Sequence, residues 1–141
     1  SMGHSSSIAL GVAISNKSKK IVCLDGDGSA IMHLGSQAII SAQNPSNLVH
    51  IILNNGAHDS VGGQPTVGKD ISLTSIAKAF NYKKVFKVKS KYEIASTLEE
   101  ISFNDGPVFL EIIIKKGARS DLGRPNSSPK DNKRLFMKSL K

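Results

Sequence analysis

The chain has 141 residues, 39% apolar and 21% charged, enough for one domain with its own core and ordinary for a globular protein. No run approaches the roughly 18 apolar residues of a membrane helix, no leader is visible, and the single cysteine, Cys23, excludes an internal disulfide, so a reducing, cytoplasmic setting is expected. The net charge of +8 comes from lysines scattered over element ends, with only 2 tyrosines and no tryptophan to stack on bases, which argues against nucleic acid.

In chain order, Ser5 to Ser15 carries small and apolar residues at helical spacing and predicts a buried helix. Asn16 to Lys20 is a polar turn and Ile21 to Leu24 a strand, in which Cys23 is expected to be an inert core thiol. Ala30 to Ala42 predicts one helix with Ile31, Leu34, Ala38 and Ile39 inward, ended by Asn44-Pro45. Leu48 to Leu53 is nearly continuous in apolar residues, as in a strand covered on both faces.

Gly56 to Lys69 is rich in glycine and has little periodicity, which marks a functional loop. A helix over Ser72 to Phe80, with Ile76, Ala77 and Phe80 inward, leads to a strand at Val85 to Val88. Lys91 to Ile101 is a helix lined by Ile94, Leu98 and Ile101, and after the turn at Asn104 to Pro107 comes a strand from Val108 to Ile114. Gly117 to Pro129 is a polar arm before a short terminal helix through Leu135, Phe136 and Leu140. Strands alternating with helices predict an α/β domain of three layers, a mainly parallel sheet with helices on both faces.

Two stretches carry the chemistry. Asp25-Gly26-Asp27-Gly28-Ser29 follows a strand; its glycines let the backbone turn and approach a ligand closely, and Ser29 is expected to cap the next helix. Asn54-Asn55-Gly56-Ala57-His58-Asp59 follows the neighbouring strand. A carboxylate beside a helix start suits a diphosphate bridged to magnesium, which prefers oxygen ligands, and ligands collect at the carboxyl ends of strands in open α/β sheets. Taken alone, the same residues also fit ordinary turns held by local hydrogen bonds.

Gly26-Asp27-Gly28, a spacer from Ser29 to Leu53, then Asn54-Asn55, resembles the motif of the thiamine diphosphate-dependent enzymes. Within that superfamily the finer resemblance is to the phosphonopyruvate decarboxylases. It rests on Leu53 to Thr66, on Met32-His33-Leu34-Gly35, and on Gly117 to Pro125, and it extends over essentially the whole chain. The sulfopyruvate decarboxylases are near neighbours.

The resemblance implies thiamine diphosphate and Mg2+ as cofactors, with Asp27, Asn55 and the carbonyl of Ala57 as metal ligands and Gly26, Gly28 and Ser29 against the diphosphate. Met2-Gly3 fits the place of an apolar residue that holds the cofactor bent, so Ser1 to His4 is read as native sequence; a carbonyl that binds the pyrimidine would precede Ser1. His58 and Asp59 resemble residues that face the substrate, with bracing of the loop as the plain alternative. Where some decarboxylases of the superfamily have a glutamate, six residues past the second Asn, this chain has Val61, so their proton relay does not transfer. Gln64, Arg119 and Arg124 are candidates for holding a phosphonate; His33 and His50 are assigned by default to core or surface roles.

The reaction implied is decarboxylation of 3-phosphonopyruvate, a 2-oxo acid with a second anionic group, to phosphonoacetaldehyde and carbon dioxide, a step of phosphonate biosynthesis. Residues 1–141 would be the C-terminal, diphosphate-binding domain of an oligomer. Glu93, Glu99, Glu100 and Glu111 fall in helix or strand patterns far from the motif, so none is a candidate for the glutamate that activates the cofactor; the resemblance implies that it comes with the pyrimidine-binding domain of the same enzyme, from another protomer. Alone, the chain is expected not to turn over. A sulfopyruvate decarboxylase subunit is the nearest rival; a carboligase such as acetolactate synthase is a weaker one. A non-catalytic nucleotide-binding module is the rival of another class, but the first βα turn lacks Gly-x-Gly-x-x-Gly.

Overall fold

A computed structural model describes residues 2–102, 104–123 and 125–140. Helix α1 (Ser5–Ser15) leads into β1 (Ile21–Gly26), then α2 (Asp27–Met32), α3 (Gly35–Gln43) and β2 (Leu48–Asn54). A short hairpin of β3 (Ala57–His58) and β4 (Gln64–Pro65) encloses a 3-10 turn at Asp59–Val61. It is followed by α4 (Leu73–Ala79), β5 (Lys84–Val88), α5 (Lys91–Glu100), β6 (Val108–Ile113) and α6 (Pro129–Ser139). The main sheet is parallel throughout, in the order β1-β2-β6-β5, so the expected three-layer α/β fold is present.

The two faces of the sheet are covered unequally. On one, Cys23, Leu48, Ile52 and Phe109 pack against Ala9, Leu10 and Ala13 of α1, Ala30 of α2, Ile40 of α3, and Leu73 and Ala77 of α4. On the other, Val49, Ile51, Leu110 and Ile112 meet Ile94 of α5 and Ile101 just beyond it. That second layer stops short of β1, where Val22 and Leu24 are exposed. The side chains of α6 are likewise mostly exposed.

Four expectations need correction. Helix α1, expected to be buried, is so on one face only, through Ser6, Ala9, Leu10 and Ala13, and leaves Ile8 59% and Ile14 44% exposed. The helix placed at Ala30 to Ala42 is two helices: His33, with φ −129° and ψ 50°, breaks the first. The break re-phases the second helix, so Gln37 and Ile40 are buried whereas Ile39 is 57% exposed. In α5 the contact face runs through Ile94, Thr97 and Ile101, which leaves Leu98 at its margin and exposed. Finally, α2 begins directly after β1, with Gly26 at the cap position, so Ser29 sits inside the first turn and does not cap it.

Candidate active site

The carboxyl ends of β1 and β2 open into a cavity of about 370 Å3. The parallel register sets Gly26 beside Leu53, which brings the acidic loop and the asparagine loop side by side. Met2, Gly26, Asp27, Gly28, Ser29, Asn55, Ala57, His58 and Asp59 all line this cavity. Gly3 lies just behind, its N–H donating to Ser29 Oγ at 2.9 Å, so Met2 reaches the rim.

Asp27 is the most buried carboxylate lining the cavity, 1% exposed. Its Oδ2 accepts a hydrogen bond from Thr66 Oγ1, which lies just past β4. Gly28 is packed so closely that a Cβ there would stand 2.7 Å from His58 Nδ1, which puts the half-buried imidazole over the glycine. Glycine at 28 is therefore required by contact, beyond any conformational need.

The second loop is held by side chain to backbone bonds. Asn55 Oδ1 accepts from the Ala57 N–H at 3.0 Å, which turns the Ala57 peptide, and Asn55 Nδ2 donates to Asp59 Oδ2 at 2.9 Å. The same Asp59 oxygen accepts from the Gly117 N–H at 2.7 Å, tying the arm after β6 to the loop. Asp59 is thus occupied as a brace.

Behind the acidic loop, Asp25 and His50 are both buried, with Asp25 Oδ2 at 3.5 Å from His50 Nε2. Burial pushes the Asp25 carboxyl up, but His50, Ser29 and Ser5 outweigh it and leave it below the usual range. His50 therefore has the expected core role, while His33 is exposed. Of the phosphonate candidates, Gln64 is exposed on the hairpin and Arg119 is exposed and paired with Asp121 at 3.2 Å. Arg124 lies outside the described residues. A separate cavity of about 520 Å3 between α1, β1 and α6 is walled mainly by aliphatic side chains and shares Leu24 with the candidate site.

Residues 1–112 match the family model described as "Thiamine pyrophosphate enzyme, C-terminal TPP binding domain". The chain belongs to the thiamine pyrophosphate enzyme family. Among curated relatives of this family, it is 40% identical over 135 residues to a phosphonopyruvate decarboxylase of Streptomyces hygroscopicus, covering 96% of this chain and 33% of the relative. It is 35% identical over 117 residues to a sulfopyruvate decarboxylase subunit beta of Methanothermobacter thermautotrophicus, covering 83% of this chain and 60% of the relative. Transketolase from Campylobacter jejuni shares the fold, with a TM-score of 0.65 at 19% identity over 79% of this chain and 20% of that one. This chain thus spans about a third of the length of the phosphonopyruvate decarboxylase it matches.

The residues present suit a thiamine pyrophosphate domain. A buried carboxylate, an amide oxygen and a peptide carbonyl are all oxygen donors, the kind magnesium takes, and the first turn of α2 has peptide N–H groups without intrahelical partners. Sequence reasoning missed Thr66, Gly68 and Glu111 as parts of this site. Glu111 looked remote because it is distant along the chain, yet its Oε1 accepts from Asn54 Nδ2 at 2.7 Å. Only the β2–β6 pairing brings the two together, and no local signal announces that pairing.

Proposed function

We propose that this chain is the diphosphate- and magnesium-binding domain of a thiamine diphosphate-dependent decarboxylase of the phosphonopyruvate type. The observation that carries the reading is the convergence of Asp27, Gly28, Asn55, Ala57 and His58 on one cavity at the carboxyl ends of β1 and β2. Asp27, Asn55 Oδ1 and the Ala57 carbonyl would hold magnesium; Gly26, Gly28 and Ser29 would lie against the diphosphate, and Met2 against the rings. When bound, the cofactor supplies the electron sink that decarboxylation of a 2-oxo acid needs.

The chain's own residues bind, orient and shield. Asp27, nearly free of water, offers a fixed negative charge that needs no reorganisation when a cation arrives. His58, held over Gly28 and lining the cavity, would meet the substrate's carboxylate or deliver a proton. Asp59 is a positioning residue that orients Asn55. The relationship to a phosphonopyruvate decarboxylase over 96% of the chain supports 3-phosphonopyruvate as substrate and phosphonoacetaldehyde as product. The sulfopyruvate relative keeps sulfopyruvate as the second reading, since both substrates are 2-oxo acids with an anion on the third carbon. A pyrimidine-binding domain, in the same polypeptide or another subunit, would complete the site from a neighbouring protomer.

The test is calorimetric titration of thiamine diphosphate with and without magnesium, in wild type and Asp27→Ala, with the pyrimidine-binding domain present. Magnesium-dependent binding that the variant loses is the expected result. Equal binding by both would refute the metal assignment, and turnover of phosphonopyruvate against sulfopyruvate by the same assembly decides the substrate.

A further inference from the structure

The first asparagine of the doublet does not face the cavity. Asn54 and Glu111 are both fully buried, at 0% exposure, and they are bonded to each other. Every polar atom of the Asn54 side chain is used. Nδ2 donates to Glu111 Oε1 and to the Gly68 carbonyl, each at 2.7 Å, and Oδ1 accepts from the Gly56 N–H at 3.2 Å. One amide therefore grips both ends of the loop from Gly56 to Gly68, which contains Ala57, His58 and Asp59.

The far end of that loop leads straight to Asp27. Gly68 lies against the Asp27 carboxylate so tightly that any Cβ would collide with it. Its N–H donates to Thr66 Oγ1 at 3.2 Å, and that hydroxyl donates to Asp27. A continuous path thus runs from Glu111 through Asn54 and Gly68 to Thr66 and Asp27.

Glu111 is a costly residue to bury for one hydrogen bond. Its Oε2 has no hydrogen-bond partner and is compensated only by an ion pair at 3.3 Å with half-exposed Lys87, its neighbour in register on β5. What an acceptor-only group at 111 secures is orientation: facing a carboxylate, the amide of Asn54 must turn Nδ2 inward, which aims its second N–H at Gly68 and Oδ1 at Gly56. An apolar residue there would remove one of the three bonds that fix the amide, leaving one N–H unsatisfied and only the Gly68 and Gly56 bonds to hold it.

We propose that Glu111 and Asn54 are a positioning pair for the metal and diphosphate site, fixing the loop that carries the Ala57 carbonyl relative to Asp27. The inference rests on the function proposed above. Outer residues that hold ligands in place typically change metal affinity by about 10- to 100-fold when lost. Glu111→Ala should therefore raise the Kd of magnesium, titrated at saturating thiamine diphosphate into the full protein, at least about tenfold, and Glu111→Gln, which keeps an acceptor for Asn54, should restore most of it.

A second pair of variants separates positioning from mere core support. Asn54→Asp sets a carboxylate against Glu111 and withdraws the donor from Gly68. The double variant Asn54→Asp/Glu111→Gln restores a donor and an acceptor between the two side chains with their polarity reversed, but not the bond to Gly68. The expected result is recovery of the thermal midpoint without recovery of magnesium affinity. Affinity that returns together with the midpoint would overturn the proposal, as would Glu111→Ala binding magnesium like wild type. If Glu111→Ala does not fold, the Asn54 pair decides alone. A wild-type protein that binds no thiamine diphosphate takes the functional reading down together with this one, whereas unchanged affinity in folded variants removes the positioning pair only.

Discussion

Thr66 Oγ1 donates a hydrogen bond to Asp27 Oδ2, so a hydroxyl beyond the hairpin satisfies one side of the most buried carboxylate that lines the cavity. Thr66→Val keeps the shape and removes the donor. A buried carboxylate that loses one donor costs about 1–3 kcal/mol, so the variant's urea midpoint should fall accordingly in the absence of ligand. Saturating magnesium and thiamine diphosphate should narrow the difference, because a cation at Asp27 takes over the compensation. A gap that ignores both ligands would show that the metal does not reach Asp27.

The two glycines flanking Asp27 should respond differently to alanine. At Gly28 a Cβ would stand 2.7 Å from His58 Nδ1 and 2.9 Å from Thr66 Cγ2, whereas at Gly26 nothing lies within 4 Å. Overpacking of this kind costs about 1–3 kcal/mol, so Gly28→Ala should destabilise the fold and shift the His58 ring resonances in NMR spectra. Gly26→Ala should stay within about 0.5 kcal/mol of wild type in unliganded protein. Equal midpoints for the two variants would contradict the packing of His58 over Gly28.

The acidic loop and the asparagine doublet were legible because both are local patterns at strand ends, and the alternation of strands and helices located them in the fold. The break at His33 is weakly marked: Ala30 to Ala42 contains no proline, and its one glycine, Gly35, which opens the second helix, is a residue that helix interiors also tolerate. The buried face of α3 was missed with it, since a polar Gln37 at 1% exposure runs against any count of apolar residues. Glu111 was set aside because its partner is reached only through the β2–β6 register. Local chemistry was thus readable, while bonds that cross the sheet were not.

Cys23 should be unreactive in the folded protein. Burial, with the nearby Asp25 charge adding to it, pushes the thiol up to about 11. At pH 8 only about one part in a thousand would then be thiolate, and the residue is 5% exposed. Native protein mixed with a thiol-specific disulfide reagent should release almost no chromophore until denaturant is added, when one equivalent should appear. Fast native reaction would place Cys23 in an open, electropositive environment and contradict its packing beside Asp25.

Acid should loosen the β5–β6 corner before neutral pH changes touch it. Asp105 Oδ2 accepts from Lys84 Nζ and from the Ser102 N–H, each at 2.8 Å, and the lysine with these amide contacts draws its carboxyl down to about 2 from the ordinary 3.8. A carboxyl that titrates lower in the folded chain than in the unfolded one stabilises the fold when ionised. Its contribution is therefore complete above the unfolded value and disappears as the pH falls from 3.8 through 2. Asp105→Asn should have a lower urea midpoint than wild type at pH 6, and the two curves should converge as the pH approaches 2. Lys84→Met should reproduce part of the loss, and high salt should shrink it, because the pair is partly open to solvent. A difference between wild type and Asp105→Asn that stays constant down to pH 2 would mean that the carboxylate's charge does nothing at this corner, and that the turn is held by its backbone bonds alone.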